Sequence, residues 1–144
     1  RTAILCANQA IKNDVFERFL IATDTPTGSG IMPLGIIYTV SQISSLSNIA
    51  PEKLIAAATG NVAKAYNLNS GFIKIGCDAD MLVVDAPLGG TQKTALDALK
   101  NGDPISIGAV ISSGIPRFVG RSNNTPPSIR KIRVEKSNIM EMFE

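Results

Sequence analysis

The apolar residues of this chain change rhythm as it is read from its start. Residues 3–7 (AILCA) and 18–24 (RFLIATD) are short runs without alternation. That is the pattern of strands covered on both faces, as in a parallel α/β sheet. The mixed residues 9–17 between them predict two turns of helix, close to the shortest parallel crossover. From Pro33 the spacing becomes helical: Leu34, Ile36, Ile37, Val40, Ile43 and Leu46 share one stripe, and Pro33 suits a first-turn position. PEKLIAAATG (51–60) predicts another helix, with Pro51 and Glu52 in its first turn. A short helix over 61–69 follows the break at Gly60.

The second half reads differently. GFIKIG (71–76) alternates as a half-buried strand does, CDAD (77–80) is a turn, and MLVVDAP (81–87) is a strong strand ended by proline. Residues 91–103 predict a short amphipathic helix stopped by Gly102. Residues 105–120 read as two strands about Ser113-Gly114, a hairpin signal. From Arg121 the chain is polar and proline-containing, an extended strap or disordered end. There are no internal repeats. The expected organisation is βαβα in residues 1–68, a small β-rich unit in 69–120 and a tail over 121–144. A full (β/α)8 barrel takes roughly 250 residues, so a chain of 144 holds only the last part of one.

Composition narrows the function. With 44% apolar and 18% charged residues the chain is globular and somewhat poor in charge, which suggests surface covered by a partner. A net charge of +2 is too small to argue for nucleic acid or a membrane as partner. No apolar run approaches the roughly 20 residues of a membrane span, and no signal segment opens the chain. Cys6 and Cys77 lack metal-ligand spacing and read as reduced thiols of a cytoplasmic protein. The first residue is Arg rather than Met, so the chain is expected to be cut from something longer. The most informative count is zero histidines. It removes the commonest general base, the commonest metal ligand and every Ser–His or Cys–His nucleophile.

Asp24 is the leading candidate for chemistry. It ends a predicted parallel strand, where α/β folds place catalytic side chains. The plainer reading is an aspartate that caps its own loop. The loop TPTGSG (25–30) carries Gly28 and Gly30, which let backbone N–H groups converge on a carboxylate or phosphate. It is neither a Walker loop nor GxGxxG, and an ordinary βα turn is the alternative. Asp78, Asp80 and Asp85 lack calcium-loop spacing and read as a solvated turn. Arg130, Lys131 and Arg133, beside Glu135, read as a solvated tail. Met140 and Met142 read as packing or disorder.

Two segments together resemble the metal-dependent amidohydrolase superfamily. ATDTPTGSGIMPLG (22–35) resembles the aspartate and loop of its last barrel strand. ATGNVAKAYNLNSGFIKIGCDADMLVVDAP (58–87) resembles its closing helix and return into a small β-sandwich, with Asn61, Ala63, Lys64, Gly71, Ile73, Gly76, Ala79, Asp80 and Asp85 matching. Within the superfamily, DTPTGSG, LSNIAPE and RSNNTPP resemble members that hydrolyse a ring amide. Val62 departs from the pattern, which has Pro after Asn in many members.

The resemblance implies an α/β plus β fold: the C-terminal end of a TIM-like (β/α)8 barrel followed by part of a β-sandwich. It implies Asp24 as metal ligand and general acid/base, with divalent metal, zinc above all, held in the full-length enzyme and not tightly by this chain alone. Thr25, Thr27, Gly28, Ser29 and Gly30 would lie beside a small cyclic amide substrate. The partner would be the missing N-terminal barrel segment, with homo-oligomerisation expected where Phe19, Ile21 and the 34/37/40 stripe lack cover. Two other classes remain open: a non-catalytic binding or assembly module, and a phosphate-binding domain built on the glycine loop.

Overall fold

The computed structural model describes residues 1–25 and 30–133. Its first half is helical. Helix α1 (Thr2–Lys12) covers the AILCA run, which the sequence suggests as a strand. A short apolar run cannot be told from a helix by periodicity alone. Ile4, Ala7 and Ala10 fall on one face, and Ala7 is fully buried. A 3₁₀ turn (Phe16–Arg18) follows, the chain leaves it extended at Phe19, and residues 19–24 join no sheet. The expected pair of parallel strands is therefore absent among the described residues. Residues 19–24 are held by helices instead of by a ladder.

Helices α2 (Gly35–Ser45), α3 (Pro51–Ala58) and α4 (Gly60–Tyr66) match the predicted stripes, with Pro51 opening α3. Helix α5 (Ala95–Asn101) starts at the N-cap Thr94, whose hydroxyl oxygen accepts from the Asp97 N–H at 3.1 Å and donates to the Asp97 carboxylate at 2.6 Å. It stops at Gly102, whose φ of +89° only glycine adopts freely. Helices α2, α3 and α5 close around Val40, Ile43, Leu54, Ala57, Ala98 and Leu99. Phe19 and Ile21 pack on this core, so they are not the uncovered patch that the sequence suggests. Lys100 ties α5 to the end of α2, its Nζ donating to the Ser44 and Ser47 carbonyls at 2.9 and 2.7 Å. A cation there also suits the negative end of the helix dipole.

The second half carries one antiparallel sheet in the order β1-β2-β3: β1 (Met81–Asp85), β2 (Ser106–Ser112) and β3 (Ile115–Val119). Met81 faces Ile111 and Asp85 faces Ser106, with a bulge between Val83 and Val84. Ser113 and Gly114, at φ +53° and +77°, make the two-residue hairpin turn. Asp80 pins its tip by accepting the Ser113 N–H at 2.8 Å. GFIKIG (71–76) forms no strand, and Ile73 and Ile75 stand 93% and 101% exposed. Alternation makes a strand only where a neighbour offers ladder bonds, and no described strand lies beside it.

The described part of the strap, residues 122–133, is folded back rather than loose. The Leu88 N–H donates to the Pro127 carbonyl at 2.7 Å, and Ile129 donates to Ala86 at 3.1 Å. Asp85 and Arg130, expected as solvated groups, form an ion pair: Nε lies 3.2 and 3.1 Å from the two carboxylate oxygens, and a guanidinium nitrogen also bonds Oδ1. Met140 and Met142 lie outside the described residues.

Candidate functional site

Asp24 is set in place by side chains distant in sequence. The buried Asn61, near the start of α4, donates through Nδ2 to the Phe16 and Phe19 carbonyls at 3.1 and 3.2 Å. This fixes the entry of the segment 19–24. The Phe16 and Phe19 rings meet at 5.4 Å. Next, the Ile21 N–H donates to the Ala57 carbonyl at 3.1 Å, and its side chain enters the core at 5% exposure. Burial then fades: Thr23 is half-buried, and Asp24 and Thr25 are exposed. The chain thus emerges at Asp24 from a tethered base.

Asp24 has a φ of +54°. Few non-glycine residues take this left-handed conformation, aspartate more readily than most. Departures of this kind gather at functional positions. Gly30, where the described chain resumes, is exposed with φ +68°. Thr27, Gly28 and Ser29 lie outside the described residues, so of the loop group only Thr25 and Gly30 are placed.

A divalent ion needs more donors than the described residues bring together. Among the described residues no three His, Cys, Asp or Glu side chains gather where an ion could sit. Asp24 is exposed, its carboxylate is a suitable hard oxygen donor for one position of a metal shell, and the chain has no histidine to complete it. Asp78, Asp80 and Asp85 do not converge as a ligand set. Asp80 holds the hairpin and Asp85 holds the strap. The Arg130 side chain keeps the Asp85 carboxyl at about 2, aided by the Arg130 and Ala86 N–H groups and opposed by burial. Asp85 in turn raises the guanidinium of Arg130.

An apolar groove of about 590 Å³ lies elsewhere. It lies between α2, α3 and the sheet, lined by apolar residues such as Ile36, Ile55, Phe72, Leu82 and Val110. Asp80 is its one charged lining group among the described residues and already accepts the Ser113 N–H, so the lining is otherwise neutral. The sequence marks Asn61 only through the superfamily resemblance. Its tether to residues 16 and 19 carries no local signal, and neither does the pairing of Asp85 with Arg130.

The sequence profile of the Amidohydrolase family matches residues 2–126. Enamidase of Eubacterium barkeri is 38% identical over 128 residues, 89% of this chain and 33% of the relative. The crystal structure of an enamidase, a member of the amidohydrolase superfamily, superposes with a TM-score of 0.88 at 36% identity, over 93% of this chain and 34% of that one. A beta-aspartyl dipeptidase from the thermophilic keratin degrader Fervidobacterium islandicum AW-1 shares the fold, with a TM-score of 0.60 at 20% identity over 92% of this chain and 29% of that one. The chain spans about a third of the length of the enamidases it matches. Among the described residues no helix is long and apolar enough to cross a membrane.

Proposed function

The chain belongs to the amidohydrolase family, and on that premise we propose that it is the C-terminal part of a metal-dependent hydrolase of non-peptide carbon–nitrogen bonds. Its substrate would be a small cyclic amide, and an enamide in keeping with the name of the relative it resembles, enamidase. The observation that carries the reading is Asp24. An exposed carboxylate at positive φ ends a segment whose base is tethered by Asn61 and Ala57.

In this reading Asp24 contributes one ligand to a divalent ion, zinc above all, and the remaining ligands come from sequence outside this chain. The ion, when bound, supplies an acidified water and charge stabilisation at the scissile carbonyl. Asp24 takes the proton of the attacking water and returns it to the departing ring nitrogen, so one carboxylate serves as base and then acid. Thr25, Thr27, Gly28, Ser29 and Gly30 border the substrate, and their N–H groups suit a ring carboxylate. The three-stranded sheet would form part of a β-sandwich completed by the missing segment. Free Cys6 and Cys77 fit a cytoplasmic protein, and exposed apolar side chains fit a partner or a second copy. The isolated chain would be inactive.

The test is Asp24→Asn in the full-length polypeptide. Turnover of a cyclic enamide such as 3,4-dihydropyridin-2-one is expected to fall at least about 10³-fold, in the range of a lost acid–base group that also binds metal. Thermal unfolding should stay unchanged. Wild-type turnover in that variant would remove Asp24 from the chemistry. A second reading, a non-catalytic assembly module, draws on the absence of histidine. A full-length reading frame without upstream histidine ligands would favour it.

A further inference from the structure

Gly35 opens α2 and is buried, eleven residues after Asp24. A β-carbon there would lie 2.7 Å from Thr23 Cγ2, 3.3 Å from Met32 Cβ and 3.4 Å from Thr23 Cβ. Carbon atoms pack at about 3.5–4.0 Å, so an added methyl group cannot share this space with the methyl of Thr23. Glycine is a poor helix former. Its φ is not in the left-handed region, unlike that of Gly30. Backbone freedom therefore does not account for it, and room for Thr23 does.

The contact has two sides. Thr23 is bonded directly to Asp24, and as a β-branched residue it is stiff about χ1. Gly35 is where the chain re-enters regular structure. The Gly35 N–H donates to the Met32 carbonyl at 3.1 Å, and the Gly35 carbonyl accepts from Thr39 Oγ1 at 2.8 Å. The seat of Thr23 on Gly35 thus closes the base of the loop and fixes the chain on both sides of it. A methyl group at residue 35 is relieved by turning Thr23 about χ1, by moving the backbone beside Asp24 or by shifting the first turn of α2, and the first two act directly on Asp24.

From this we infer that Gly35 is a positioning residue for Asp24, acting through the methyl group of Thr23. The inference rests on the reading of Asp24 as a metal-binding acid/base.

The experiment uses the full-length polypeptide and four variants: Gly35→Ala, Gly35→Ala with Thr23→Ser, Gly35→Ala with Thr23→Val, and Asp24→Asn. Three quantities are read: kcat and KM on 3,4-dihydropyridin-2-one, zinc retained after dialysis against a chelator, and the melting temperature. Gly35→Ala is expected to lower kcat at least tenfold with little change in KM, and to lower retained zinc, while the melting temperature falls by only a few degrees. Thr23→Ser removes the clashing methyl and should restore kcat and zinc to within threefold. Thr23→Val keeps that methyl and should not restore them. Wild-type kcat and zinc in Gly35→Ala, or equal rescue by Thr23→Val, would overturn the inference. If Gly35→Ala does not fold, the Thr23→Ser double variant decides. Folded with near wild-type kcat and zinc it supports the seat, and unfolded or folded without them it overturns it. Asp24→Asn separates the two claims. Wild-type turnover and zinc there defeat the reading of Asp24. Their loss there with no effect of Gly35→Ala defeats only the positioning role.

Discussion

Asp85 behaves in the structure as nothing in its neighbourhood along the chain suggests. It sits in an Asp-rich stretch, yet it points inward and binds a guanidinium 45 residues away. Its carboxyl is held at about 2, below the ordinary 3.8, first by the Arg130 side chain. A carboxyl depressed on folding adds stability above the unfolded value, and that stability fades as pH falls through the folded value. Asp85→Asn should therefore lower the melting temperature by a few degrees at neutral pH. The gap from wild type should hold down to about pH 4 and close towards pH 2. A gap that stays constant over that range would show that the pair does not contribute through charge. Arg130 is largely exposed, so salt should also narrow the gap. Asp24 is the opposite case: its place at the end of an apolar run was legible, but its φ of +54° and the seat of Thr23 on Gly35 were not.

Elements with two concordant signals were readable from the chain. Helix α5 has a stripe, a threonine N-cap and a glycine stop, and it forms where expected. Thr94→Ala should cost about 1 kcal/mol, the usual loss of a capping hydroxyl, measurable by urea unfolding. An unchanged midpoint would mean that Asp97 or water replaces the cap. The hairpin at Ser113-Gly114 likewise combined a turn signal with flanking β-formers. Elements with one signal fold differently from their pattern. AILCA had apolar character alone, and its period became visible only when Ala10 and Ile11 were counted with it. GFIKIG had alternation alone, and a strand needs a partner that the pattern of one segment cannot supply.

At the scale of the whole molecule, the unusual feature is where apolar surface remains. The core of α2, α3 and α5 is closed. Strand β1, by contrast, leaves Met81, Leu82, Val83 and Val84 between 36% and 52% exposed, and Ile73 and Ile75 are essentially bare. Contiguous apolar surface of this kind marks an interaction face. The isolated 144-residue chain is expected to associate with itself, read as a concentration-dependent sedimentation coefficient. Leu82→Glu together with Ile73→Glu should shift it towards monomer. A monodisperse monomer at all concentrations would show that this face needs no cover.

By itself the sequence determined the kind of protein: helical stripes, caps and turns are local, and the segments around Asp24 and Asn61 carry the family's pattern in residue identity alone. It also determined that these 144 residues supply no histidine, because a count needs no geometry. The tertiary structure decided the rest. It settled which apolar runs became helix or strand, which carboxylates were engaged by partners far along the chain, and how Asp24 is presented. Those outcomes depend on ladder partners, on ion pairs and on a methyl group meeting a missing side chain, which are contacts between residues that no local pattern brings together.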